Sequence, residues 1–140
     1  MSGSNARAAL QQYKKVNLHS QVEGASPHRL IQMLMEGALE KMYAARLLME
    51  QGNLGPKAEQ ITWAISIIDG LRISLDKDVG GEIAQNLEDL YDYMVRRLMQ
   101  ANASNDVAMV EEVVDLMKQI KEAWDAIAGT PRPEAGKPAA

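Results

Sequence analysis

The residues of this chain that could do chemistry are two histidines, His19 and His28, and a scatter of carboxylates along a sequence rich in Leu, Ile, Val and Met. Histidine is the side chain whose ordinary pKa suits general base work near neutral pH. A base also needs a nucleophile and an orienting group at fixed geometry, and neither histidine has such neighbours in view. His28 directly follows Pro27 at a helix start, where an imidazole beside a helix terminus needs no catalytic role; His19 lies in an N-terminal stretch with no evident partner. A carboxylate-bridged di-iron bundle would require Glu-x-x-His pairs, and no Glu stands three residues before a His. The absence of Cys removes disulfides, thiolate nucleophiles, Cys-ligated zinc, iron–sulfur centres and covalent haem attachment. Val79-Gly80-Gly81-Glu82 has neither the length nor the Lys of a phosphate-binding loop and reads as a turn that ends a helix. Glu36, Glu40, Glu88, Asp89, Asp92, Glu111, Glu112 and Asp115 read as solvated helix exteriors. Glu111 and Glu112 fall in the first turns of the last helix, where negative charge is favoured. The expectation is a protein without catalytic residues, metal ligands or cofactor.

The elements around these residues are helical. Ser26 is a suitable N-cap with Pro27 at the first helical position, and the chain reads as helix from His28 to about Gln51, closed by Gly52-Asn53-Leu54-Gly55-Pro56. A second helix is predicted from about Pro56 to Asp76, a third from about Glu82 to Ala101, and a fourth from Asp106 or Val107 to about Ala128. Each has an apolar stripe at spacings of three and four. The stripes are Ile31, Leu34, Ala38, Met42, Ala45 and Met49; Ile61, Ile65, Ile68, Leu71 and Leu75; Leu87, Leu90, Met94, Leu98 and Ala101; and Val110, Val113, Met117, Ile120, Trp124 and Ile127. Short links between helices of about 20 residues predict antiparallel neighbours and an all-α, up-down-up-down four-helix bundle. Residues 26–128 would form the bundle, residues 1–25 an N-terminal arm that is flexible or docks on it, and residues 129–140, with three Pro and two Gly, a disordered tail.

A net charge of −4 argues against nucleic acid as a partner, and no apolar run approaches the roughly 20 residues that span a bilayer. No charged-then-apolar leader is readable in Met1–Leu10, so a cytosolic protein without membrane insertion is expected. What the sequence has in excess is apolar surface. The first helix places Leu30, Met33, Leu39, Tyr43, Leu47 and Leu48 off its main stripe, and the second adds Trp63, Ile67 and Ile73. A core-facing helix needs an apolar arc of only about 100°, although a bundle helix touching two neighbours uses a wider one. Taken together, the surplus predicts an apolar groove that needs a cover, of a kind suited to helix-in-groove recognition.

The stretches Tyr13–Val22 (YKKVNLHSQV), Ala25–Ile31 (ASPHRLI) and Met33–Ala38 (MLMEGA) resemble the opening of FliS, the flagellar secretion chaperone family. Ala64-Ile65 with Ile67–Leu71 is similar to its second helix. The most specific block is Ser74-Leu75-Asp76, Gly80–Ala84, Asn86-Leu87 and Leu90–Leu98, followed by Ala101-Asn102, Asn105-Asp106, Glu111–Val113 and Ala123-Trp124. The resemblance covers about residues 10–128; Met35 departs from it, standing where the family often has an aromatic. It implies a client, the C-terminal segment of flagellin, which is disordered when free and is kept from polymerising before export. It further implies delivery to the flagellar type III export gate, with the export-gate component and flagellar regulatory proteins as further partners. Client-binding residues are then expected among Leu10, Tyr13, Leu18, Leu30, Met33, Trp63 and Ile67, with the Leu10–Val22 arm able to fold over the groove.

Two other classes share the all-α architecture. A phosphorelay transfer domain needs an exposed His in the middle of a helix, and neither His19 nor His28 sits there. A purely structural, oligomerising bundle would differ in having no client, and the sequence leaves a monomer and a homodimer equally open.

Overall fold

A computed structural model describes residues 26–127. Within them the chain forms four helices: α1 (Pro27–Gln51), α2 (Leu54–Ile73), α3 (Lys77–Ser104) and α4 (Val107–Ala126). α1 packs against α2 and α4, and α3 closes the ring against α2 and α4, with no contact across the diagonals. This is the antiparallel bundle expected from the stripes. The expected N-terminal arm and C-terminal tail, and with them Leu10, Tyr13 and Leu18, lie outside the described residues.

The boundaries follow from local chemistry. The Ser26 hydroxyl accepts the Arg29 N–H at 3.1 Å and Pro27 opens α1, while Gly52 ends it in the left-handed region, at φ 77°. Asp106 starts α4 by accepting from the N–H groups of Ala108 and Met109, and Asn105 closes α3 at φ 53°. One boundary differs from expectation. Gly81, non-helical at φ 56°, ψ −127°, does separate two helical segments, as the glycine pair suggested, but Asp76 accepts from the Asp78 and Val79 N–H groups and starts an extra turn, Lys77–Gly80, ahead of it. The aspartate cap supports that turn because it satisfies N–H groups that would otherwise have no partner.

The core follows the stripes along the bundle and is more fully enclosed at the end where α2 and α4 begin, although Val107 and Met109 are partly exposed there too. Leu34, Met42, Ile61, Ile68, Leu98, Val110 and Met117 are at most 1 % exposed. Lys57 is buried near the same end, donating from Nζ to the Asn102 carbonyl at 2.9 Å and so tying the start of α2 to the end of α3. At the opposite end, where α1 and α3 begin and α2 and α4 finish, stripe residues remain partly exposed.

Candidate functional site: an open apolar end of the bundle

Six stripe residues define that end: Ile31, Leu75, Leu87, Leu90, Ile120 and Trp124 pack against the core without being enclosed by it. Beyond them Ile83 and Val79 project from the first turns of α3, 73 % and 84 % exposed, and Ile127 continues past α4. Leaving this much aliphatic surface wet costs about 25 cal/mol per Å², so the end gains by being covered.

A polar framework holds the mouth on the α1–α4 side. The Trp124 ring stacks on His28 at 4.6 Å and nearly parallel, and its Nε1 donates to the His28 carbonyl at 2.9 Å. Gln32 donates to Asp125, and Lys121 bridges Asp125 and Glu36. The hydrogen bond from Lys121, followed by that from Gln32, holds the Asp125 carboxyl below its ordinary range. Toward the other end of the bundle, between α3 and α4, Glu112 accepts from the Tyr93 hydroxyl and from Arg97, and its carboxyl is likewise lowered, chiefly by the Tyr93 hydrogen bond. These links fix the spacing of the helices, so the opening is set by the packing around it.

Two buried polar groups were not foreseen. Asp69 is 3 % exposed and pairs with Arg72 at 3.2 Å; burial outweighs that partner and raises its carboxyl above the usual range. Tyr91 is enclosed in the core, where burial pushes its hydroxyl up to about 12. Among the described residues no cluster of three His, Cys, Asp or Glu is placed to hold a metal ion, and no helix is long and apolar enough to cross a membrane.

Of the expected client-binding residues, four fall in the described part, Leu30 and Met33 on α1 and Trp63 and Ile67 on α2. Leu30 and Lys41, eleven residues apart, share a face of α1; Trp63 and Ile67, four apart, share a face of α2. Lys41 Nζ stands 4.6 Å over the Trp63 ring, so the two faces adjoin. Met33 borders the same side of α1. Trp63 is half exposed and Leu30 partly so, whereas Met33 and Ile67 are buried, at 3 % and 1 %. Most of the surplus noted in the sequence divides in the same way: Leu39 is enclosed, while Tyr43 and Leu47 face solvent. The mouth residues themselves were read from the sequence as ordinary core.

The profile of the family described as Flagellar protein FliS matches residues 9–131 of this chain. The chain belongs to that family. It is 50 % identical to the flagellar secretion chaperone FliS of Salmonella typhimurium over 86 % of its own length and 90 % of the relative's. It is 46 % identical to the protein of that name in Vibrio cholerae, over 86 % and 89 % of the two chains. Similarity extends to the Bacillus subtilis FliS, at 34 % identity over 74 % of this chain and 76 % of that one. A secretion-chaperone family and a bundle with an open apolar end are compatible: both call for a surface that waits for another chain.

Proposed function

We propose that this protein is a cytosolic export chaperone that holds the disordered C-terminal segment of flagellin, prevents its premature polymerisation and presents it to the flagellar type III export apparatus. The observation that carries the reading is the open end, where Ile31, Leu75, Leu87, Leu90, Ile120 and Trp124 stay partly exposed together where α1 and α3 begin. A disordered client spends conformational entropy on binding and needs extensive apolar burial to offset it. The half-exposed Trp63 of α2 and the partly exposed Leu30 of α1 add apolar area, and Leu10, Tyr13 and Leu18 are proposed to contribute from the N-terminal arm. Partners at the export gate and among flagellar regulators belong to the same proposal.

The test is calorimetric titration of the full-length chain with the flagellin C-terminal segment. A 1:1 complex should form with a gain of helicity and a negative heat-capacity change, the marker of apolar burial. Affinity should hold between low and high salt, because the contact is apolar. Absence of binding at tens of micromolar segment, or its loss on a modest rise in salt, overturns the reading.

A further inference from the structure

The start of α3 carries a feature that neither bundle packing nor the enclosed core explains. Gly81 adopts φ 56°, ψ −127°, a conformation that strains any L side chain, and a Cβ on Gly80 would come within 2.8 Å of the Ala84 Cβ. The two glycines therefore serve a sharp bend. The extent of that bend can be read from an ion pair: Lys77 Nζ meets Glu88 Oε1 at 2.9 Å. Eleven residues of uninterrupted helix would separate these two by about 16 Å, further than a lysine side chain reaches, so the Lys77–Gly80 turn is folded back along α3. The turn is self-contained, held by the Asp76 cap and by the Gly80 N–H donating to the Asp76 carbonyl at 2.8 Å.

This limb carries Val79, and Ile83 stands just past the bend at the head of the continuous part of α3; they are the two most exposed of the large apolar side chains described. Every residue from Asp76 to Ile83 is exposed, so the limb rests on no other element. Ile83 lies one turn before Leu87 and two before Tyr91, on the stripe that runs into the open end. Its apolar surface is therefore continuous with the mouth. The Lys77–Glu88 pair that holds the limb is itself exposed and so weakly stabilising.

We propose that the Asp76–Gly80 limb is a client-contacting flap, hinged at Gly81, that brings Val79 beside Ile83 onto the chain segment seated in the mouth. The inference rests on the proposed chaperone reading and adds to it two residues and a moving part. The occupant is the client segment, because Ile83, one turn before Leu87, continues the stripe that runs into the mouth where that segment is proposed to sit. A second copy of this chain would instead give a concentration-dependent dimer without client.

The experiment compares full-length wild type, Val79→Ser/Ile83→Ser and Leu87→Ser in titrations with the flagellin C-terminal segment, alongside hydrogen exchange of residues 77–83. The double variant should bind on the order of tenfold more weakly, the loss expected for two aliphatic contacts. Its Tm without client should be unchanged, because neither side chain is buried in the free protein. Amide protection over 77–83 should rise on binding in wild type. Gly81→Ala, which forbids the observed bend, should weaken binding to a similar degree. If Leu87→Ser weakens binding but the double variant and Gly81→Ala match wild type, the flap is refuted and the mouth stands. If wild type does not bind at all, the chaperone reading falls and the flap with it. Dimerisation of the free chain abolished by the double variant overturns the flap in favour of self-association.

Discussion

Shortening Leu98 and shortening Leu87 to alanine should have opposite consequences, although the two residues sit on the same stripe of the same helix. Leu98 is fully enclosed between α2 and α4, at 0 % exposure, whereas Leu87 is only partly buried at the open end. Leu98→Ala loses about 2.5 kcal/mol of transfer free energy, and the cavity left in a close-packed core brings the total to about 3–4 kcal/mol. With roughly 4–8 °C of Tm per kcal/mol for a domain near 100 residues, that is a fall of about 15 °C or more. Leu87→Ala loses only the part of its area already removed from water and leaves a dent that solvent can fill, so about 1 kcal/mol and roughly 5 °C are expected. Affinity for the flagellin segment should move the other way. Leu98→Ala should bind as wild type at temperatures where it is folded, while Leu87→Ala should bind several-fold more weakly. Thermal unfolding followed by circular dichroism and a calorimetric titration of each variant decide the matter. An equal Tm loss for the two variants would show that the bundle is equally enclosed at both ends and would refute the mouth.

Three further outcomes follow from individual groups. Asp69 has a raised carboxyl pKa, so the stability it contributes is fully present below its unfolded value near 3.8 and is lost as pH rises through the folded one. Asp69→Asn should therefore raise the denaturation midpoint at pH 7 and converge on wild type toward pH 4; a lower midpoint at pH 7 contradicts burial as the dominant influence. Tyr93→Phe removes the hydrogen bond that chiefly lowers Glu112, so the Glu112 carboxyl should titrate at higher pH when followed by NMR; an unchanged titration would assign the lowering to Arg97 instead. Asn105→Ala keeps a β-carbon at φ 53° but loses the short polar side chain that lets Asn adopt the left-handed region, and should cost about 1 kcal/mol in denaturant unfolding, with Asn105→Gly neutral or better; equal stability of all three would mean that the α3–α4 turn changes conformation.

The helices were legible in the sequence because their signals are local. Ser26-Pro27, Gly52 and Asp106 act on backbone groups within a few residues, and the spacing of Leu34, Ala38 and Met42 reports a face regardless of what that face meets. The Gly80-Gly81 break was legible for the same reason, since glycine marks a loss of helical geometry, whereas the turn that Asp76 caps ahead of it was not read from the sequence.

The family resemblance was equally a property of the string of residues, and it carried the expectation of a client. Which apolar residues stay available to that client is decided by tertiary packing. Met33 and Ile67 look like surplus on a helical wheel and are buried, while Trp124 and Leu87 look like core and are left half open. Periodicity records the direction of a side chain from its own axis and holds no information about how far the neighbouring helix extends past it. Where α1, α2, α3 and α4 end relative to one another settles which stripe residues are enclosed, and that offset exists only once the four are packed.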